Sequence, residues 1–389
     1  MTEWKTYTLK ELSKGRGEYG IGAPAVPFDK EKYTYLRITD INDDGTLNTS
    51  GMMSVDADDA EEYILEKNDI VFARTGNSTG RSYFYDGRDG ELVYAGFLIR
   101  FRLDETKVNP KILKYYTHSK PYYDWVKSFD TGGTRGNINA KTYGDMPIYL
   151  PPRHIQDRIV GILGAIDDKI ENNRRINTNL ELQAQALFDK IFFDDNDVER
   201  NPLSDYADIN PTRTLRQGVV ARYIEMANLP TRGSFPSDWS YKSYGGGCKF
   251  ANGDTIMARI TPCLENGKTA YIDFLEEQEV AFGSTEYIVI SAKNGYCPAL
   301  FYFLARNKEF VDYAVGHMNG SSGRQRVSGA DIANFQMPHI TLEESNKFAE
   351  IAMPIMDVIR NNSLENRHLA TLRDTLLPKL MNGEIKIDE

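Results

Sequence analysis

The sequence predicts an α+β protein made of two tandem copies of one mixed α/β module with a twisted sheet, each copy followed by a long helix. The two helices are expected to pack as an antiparallel coiled coil, relating the halves by an intramolecular pseudo-two-fold. Three observations lead there. Stretches recur in the same order in both halves, an apolar seam spaced four and three apart runs for more than four heptads, and short β-branched runs are punctuated by Gly, Asp and Asn.

The repeat is clearest in the helices. Residues 164–177 read GAIDDKIENNRRIN and residues 353–366 read MPIMDVIRNNSLEN, with six identities in fourteen positions at an offset of 189 residues. Elsewhere YLRITDI (35–41) matches YIEMANL (223–229), and NDIVFAR (68–74) matches GDTIMAR (253–259). Each of the latter is followed by a small-basic-hydroxyl triplet, Gly80-Arg81-Ser82 or Gly267-Lys268-Thr269. GGTRGNI (132–138) then parallels SSGRQRV (321–327), and Met146-Pro147 parallels Met337-Pro338. The expected division is module one over 1–150, a central helix over 151–196, module two over 197–340 and a C-terminal helix over 341–389.

Within the modules, DIVFAR, ELVYAGFLIRFRL and EYIVISA read as strands. NPKILKYYTHSKPYYDWVKSF and CPALFYFLARNKEFVDYAVGHM have helical spacing. The first long helix carries its seam on Ile159, Leu163, Ile166, Ile170, Asn173, Asn177, Leu180, Ala184, Leu187 and Ile191. The second carries it on Phe348, Ala352, Ile355, Ile359, Asn362, Asn366, Leu369, Arg373, Leu376 and Leu380. Thr341 and Glu344 form a capping box at its start, Pro152 suits the first turn of the other helix, and Pro354 predicts a kink. Polar residues at a seam weaken it but fix register. Asn173, Asn177, Asn362 and Asn366 are therefore expected to meet and pin the stagger.

Composition excludes more than it selects. The chain has 389 residues, 41% hydrophobic and 26% charged, with a net charge of −10 spread evenly along it. That acidity gives no support to a nucleic-acid partner, so such a reading has to come from elsewhere. No apolar run approaches the roughly 20 residues of a membrane span, and the opening residues lack a signal-peptide shape. Cys248, Cys263 and Cys297 form no CxxC pair, so a cytoplasmic location fits, with inert thiols.

A search for catalytic chemistry finds none. PCLENGKT (262–269) lacks the first glycine of a phosphate-binding loop, and its counterpart GNSTGRS lacks the lysine. His118, His154, His317, His339 and His368 have no carboxylate or Cys at metal-ligand spacing, so no metal site is expected. Glu384-Ile385-Lys386 spells a nuclease-like E-x-K without an accompanying acid.

Two similar modules on a stiff spacer suit a target with two sites at a set distance, which duplex DNA offers roughly every 34–36 Å. A protein–protein adaptor built on a coiled-coil ruler is the competing reading. It accounts for the acidity but not for the paired Gly/Arg/Asn loops.

Taken together, the twin seams, the loop GDTIMARITPCLENGKTA (253–270) and FGSTEYIVI (282–290) resemble the specificity subunit of type I restriction-modification systems over essentially the whole chain. The resemblance implies a non-catalytic reader of double-stranded DNA with two target-recognition domains and two helical spacers. Its implied partners are methyltransferase (modification) subunits, two in number, and restriction/translocase subunits. S-adenosylmethionine, ATP and Mg2+ would be used by those partners, not by this chain.

Base edges are read by Arg, Lys, Asn and Gln, and phosphates are held by basic and hydroxyl groups. The loops with those residues are the expected DNA-binding surface. Module one offers Arg74, Asn77, Ser78, Thr79, Arg81, Thr134, Arg135 and Asn137. Module two offers Arg259, Asn266, Lys268, Ser322, Arg324, Gln325 and Arg326. YGGGCKF (244–250) reads as a mobile loop that orders on binding.

Overall fold

The computed structural model of the protein describes residues 4–129, 136–195, 197–293, 295–321 and 323–385. Contacts divide the chain into two compact units, residues 1–168 with 369–389, and residues 169–368. Each unit holds one module and a stretch of both long helices.

The first unit is built on a four-stranded antiparallel sheet in the order Glu18–Tyr19, Leu98–Arg102, Asp69–Ala73, Ser82–Phe84. Its central strand DIVFA is buried at every position, which is why it reads as a continuous apolar run and not as an alternation. A second sheet runs Ala25–Val26, Met53–Val55, Tyr33–Leu36, Leu92–Tyr94, its last pair parallel. The run ELVYAGFLIRFRL, expected as one strand, is divided between the two sheets. Residues 95–97 form the corner, where the Gly96 amide bonds to the Ile21 carbonyl. The helical stretch behind the sheet is likewise two helices, Pro110–Tyr116 and Lys120–Lys127. Lys5–Thr8 and Pro147–Leu150 pair antiparallel and close the module.

The second unit repeats this plan. One sheet runs Ala207–Ile209, Tyr287–Ala292, Asp254–Ala258, Thr269–Tyr271, and the other Ser240–Ser243, Val220–Ile224, Ala281–Gly283, Lys249–Phe250. The parallel pair recurs between Val220–Ile224 and Ala281–Gly283. Helices Pro298–Arg306 and Lys308–Gly316 meet at Asn307, whose side chain accepts from the Phe310 amide and caps the second. YGGGCKF is not a free loop. Tyr244 is bonded to Gly218 and Val219, and a Cβ at Gly247 would lie 2.0 Å from the Gly283 carbonyl oxygen, so only glycine fits that approach.

The same turn opens the central strand of both modules. Asn68 (φ 75°) and Gly253 (φ 88°) take the left-handed conformation. The next residue, Asp69 or Asp254, turns its carboxylate back onto the Glu66 or Ala251 amide, at 2.8 Å in each case. Both aspartates are buried.

The long helices are Arg153–Phe192 and Leu342–Met381, about 60 Å each. The Thr341–Glu344 capping box forms as expected, with Glu344 amide to Thr341 Oγ1 at 3.2 Å and Thr341 amide to Glu344 Oε2 at 2.9 Å. Pro152 lies one residue before the first helix, and its carbonyl accepts from Ile155 and Gln156. The second helix is unbroken through Pro354. In the second unit Phe188 and Phe192 pack on Phe348, while Asn173 meets Asn366, so the two helices run antiparallel there. In the first unit Asp167 meets Arg373 at 3.2 Å, and Ile155, Ile159 and Leu163 share a core with Leu377, Leu380 and Met381. The seam departs from expectation past Ala184. Phe188 and Phe192 are buried where Leu187 and Ile191 were expected, and Ile191 is exposed. A helix of 3.6 residues per turn drifts from a strict 3.5 repeat, so the inward position moves on by one.

The four asparagines lie within the second unit. Asn173 Nδ2 donates to Asn366 Oδ1 (3.0 Å) and Glu365 Oε2 (2.7 Å), and Asn362 Nδ2 donates to Asn177 Oδ1 (2.8 Å). Asn177 Nδ2 continues to the Ile359 carbonyl and Ser363 Oγ, both at 3.2 Å. Each pair joins one repeat position to the other repeat position on the facing helix.

Two outcomes are expected. Asn366→Leu removes an acceptor from the buried Asn173 and should cost about 1–3 kcal/mol in urea unfolding. Adding Asn173→Leu should recover much of that loss, because both polar partners are then gone; additive losses would contradict the pairing. The second outcome concerns pH. Burial raises the Asp69 carboxyl to about 6, against the Glu66 amide and Arg100. The unfolded group titrates near 4, so the folded state holds an extra proton between about pH 4 and 6, and stability falls as pH rises through that window. Asp69→Asn keeps an acceptor and cannot ionise. It should gain on the parent by up to about 3 kcal/mol between pH 4 and 7, and identical pH profiles would rule this out.

Candidate nucleic-acid interface

The central strand of each module ends in Ala-Arg, and backbone bonds gather the flanking loops there. Arg74 donates its amide to the Phe97 carbonyl (3.1 Å), and its own carbonyl accepts from Ile138 (2.9 Å). Arg259 donates to the Glu286 carbonyl (3.0 Å) and accepts from Val327 (3.0 Å). The hairpin loops close at the same place, through Ala73 amide to Arg81 carbonyl (2.8 Å) and Ala258 amide to Lys268 carbonyl (2.9 Å). Loops distant in sequence are thereby brought beside one arginine in each module, in the same frame.

In module one, the Arg74 guanidinium lies over the Tyr19 ring, 5.0 Å from its centroid. It is half-buried, its Nε is buried without an acceptor, and it makes no hydrogen bond or ion pair with any described residue. Asn77, on the short turn Gly76–Ser78, and Asn137 are exposed. The other candidates are engaged internally. Thr79 Oγ1 donates to the Gly76 and Gly136 carbonyls (2.8 and 2.9 Å). Arg81 bonds Asp43 (2.7 Å) and the Ile41 carbonyl (3.0 Å), and Ser78 is buried beneath it. Gly80, at φ 88°, could carry no side chain, since a Cβ would meet Val126 Cγ1 at 2.5 Å. Thr134 and Arg135 lie outside the described residues.

Module two is arranged alike. The Arg259 Nε is buried and unpartnered, and its guanidinium likewise has no bonded partner among the described residues. Asn266 and Arg324 are exposed, and Gln325 is half-buried, its carbonyl accepting from the Thr261 amide and hydroxyl (both 3.1 Å). Lys268 is tied to the Met226 carbonyl (2.7 Å), so its ammonium is not turned to solvent as a phosphate-binding lysine would be. Arg326 grips Glu286 through Nε to Oε2 (2.9 Å) and Nη2 to Oε1 (2.7 Å). Those bonds, outweighing burial, hold the Glu286 carboxyl below the usual range, with Arg259 adding to the effect. Ser322 lies outside the described residues.

Sequence reasoning missed Tyr19 and Phe97. Tyr19 sits on a two-residue strand that has no periodicity to betray it, and its hydroxyl accepts from the Ala140 amide (3.1 Å). A cavity of about 710 Å³ opens beside it, lined among others by Arg16, Asn139 and Lys141. Phe97 is exposed between strands whose other large apolar side chains are buried. Among the described residues no three His, Cys, Asp or Glu side chains come together as a metal site. No helix there is long and apolar enough to cross a membrane. Half-buried arginines with free donors, framed by exposed amides and backbone, are suited to acceptors of a polyanion and its bases.

Comparison with known proteins points the same way. The family model described as type I restriction modification DNA specificity domain matches residues 1–182. The type I restriction enzyme HindI specificity subunit of Haemophilus influenzae is 21% identical, the alignment covering 99% of this chain and all of that one. The type I restriction enzyme MjaIX specificity subunit of Methanocaldococcus jannaschii is 24% identical over 71% of this chain and 69% of its own length. Among solved structures, that of a type I restriction-modification system S subunit from M. genitalium superposes with a TM-score of 0.58 at 16% identity, covering 97% of this chain and 96% of that one.

The division between engaged and unengaged cations has a measurable consequence. Arg74→Met and Arg259→Met keep the aliphatic stem and remove a buried N–H without an acceptor, so thermal melting should change little or rise. Arg81→Met and Arg326→Met strip partners from Asp43 and Glu286 and should lower the melting temperature. A reversed order would refute the assignment.

Proposed function

Because this chain belongs to the specificity-subunit family of type I restriction-modification systems, we propose that it reads a bipartite duplex site, one half with each module, through the loops gathered round Arg74 and Arg259. Its part in the enzyme is DNA specificity and not catalysis. Residues 1–150 and 197–340 act as the two target-recognition domains. Residues 151–196 and 341–389 act as spacers that set the distance between half-sites and dock two methyltransferase subunits, with Asn173, Asn177, Asn362 and Asn366 fixing their register. Restriction/translocase subunits complete the assembly in the cytoplasm, and S-adenosylmethionine, ATP and Mg2+ are used by those partners.

The observation that carries this reading is the pair of equivalent arginines. Arg74 and Arg259 end matching strands, and neither guanidinium makes a hydrogen bond or ion pair with any described residue, while Arg81, Lys268 and Arg326 beside them are engaged. A bidentate arginine contact to a base is worth about 1–3 kcal/mol of discrimination. Asn77, Asn137, Asn266, Arg324 and Gln325 are the remaining candidates for base edges and phosphates.

Sequencing the methylated bases of a host carrying each variant tests the proposal. Arg74→Ala should relax one half of the methylated motif and Arg259→Ala the other. Replacing residues 197–340 with those of another family member should alter only the half that Arg259→Ala relaxes. Both halves changing together in any of these would overturn the two-reader arrangement.

A further inference from the structure

The two modules share their frame but differ at one position beside the reading arginine. Ala73 pairs with Leu98 and Ala258 pairs with Tyr287, so the preceding residues, Phe97 and Glu286, are structural equivalents. Both accept the amide of their arginine through the main-chain carbonyl. In module two the side chain at this point is engaged internally, clamped by Arg326. In module one it is a phenylalanine, 59% exposed, between strands whose apolar residues are almost wholly buried.

Leaving a large apolar ring in water forgoes about 1.5–3 kcal/mol of burial. A singly exposed hydrophobic residue is ordinary on a protein surface. This one differs because of its neighbours: Arg74, whose guanidinium has no hydrogen-bonded or ion-paired partner among the described residues, is bonded to its carbonyl through the main chain, and Tyr19, 41% exposed, stands under that guanidinium. An aromatic ring, an arginine with free donors and a second aromatic thus share one strand end. Apolar side chains contact nucleic-acid bases in two ways, against the thymine 5-methyl group in the major groove or as a wedge between base steps.

We propose that Phe97 is a specificity-determining residue of module one that makes a direct apolar contact with a base of its half-site beside Arg74, a contact module two lacks because Glu286 stands in that place. The two modules then differ in chemistry as well as in sequence: one reads partly by an apolar surface, the other by polar groups alone. This rests on the reading of Arg74 given above.

The test uses the chain assembled with its methyltransferase partners and a duplex bearing the methylated motif. Phe97→Ala should weaken binding to that duplex roughly tenfold, the size of one base contact, with little effect on random duplex. The discrimination lost should lie in the half-site that Arg74→Ala relaxes. Phe28→Ala, at another exposed phenylalanine of the same module, should bind as the parent does. Replacing thymines by deoxyuridine, one at a time, separates the two modes. Loss at one position in the parent but not in Phe97→Ala marks a methyl contact, whereas fluorescence of 2-aminopurine rising only with the parent marks a wedge. Unchanged affinity and discrimination in Phe97→Ala, with Arg74→Ala still relaxing the half-site, would overturn this inference alone. If Arg74→Ala also has no effect, both readings fall together.

Discussion

A buried amide must be hydrogen-bonded, and on the proposed reading the register of the paired helices depends on that constraint. Aliphatic seams tolerate sliding, since one leucine packs against another much as well as the next. Asn173 is almost wholly buried, and its donors have acceptors at one stagger, where Asn366 and Glu365 face it. A shift of one turn in either direction would leave one asparagine of each helix against aliphatic groups, a loss of about 1–3 kcal/mol for each unsatisfied group. The Asn177–Asn362 pair applies the same condition a turn further on. Polar groups that weaken the seam thus make one alignment better than its neighbours.

The same accounting explains how duplicated modules can diverge without losing their shape. At the end of the central strand each arginine is tied to its neighbours main chain to main chain: Arg74 with Phe97 and Ile138, Arg259 with Glu286 and Val327. The side chains at Phe97 and Glu286 can differ, because the bond to the arginine amide uses only their carbonyls. Phe97 and Glu286 occupy one backbone site with opposite chemistry. The turn before the strand shows the reverse case. There a side chain, Asp69 or Asp254, supplies the bond to the preceding amide, and both copies keep the aspartate.

This difference also sets what could be read from the sequence. The repeats, the seam as far as Ala184, the strands DIVFA and YIVISA and the meeting of the asparagines follow from local pattern, and pattern survives in the sequence. ELVYAGFLIRFRL was not legible as two strands, because both pieces are buried and one run of apolar residues looks the same whether or not it turns between sheets. Phe188 and Phe192 displaced Leu187 and Ile191 from the buried face because a strict heptad overestimates how long one face persists. Within the candidate interface, residue type alone could not separate Arg74 from Arg81 or Arg259 from Arg326. That distinction depends on Asp43 and Glu286, which reach the site from 38 and 40 residues away. Tyr19 has the same origin, since only the folded sheet brings it under Arg74.

The acidity of the chain becomes intelligible in this light. With a net charge of −10, several basic groups are neutralised where they stand, Arg81 by Asp43, Arg326 by Glu286 and Lys242 by Glu225. Engaged cations add little to the sequence-independent attraction for phosphate that dominates non-specific binding and falls steeply with salt. In the proposed function, what remains at the strand ends is a small number of groups whose contacts depend on the identity of a base. On the proposed reading, a subunit whose task is discrimination gains from this arrangement, because affinity shared by every sequence contributes nothing to the difference between two of them. Phosphate affinity can then be supplied by partner subunits, and the loops keep the role of choosing where that affinity is used.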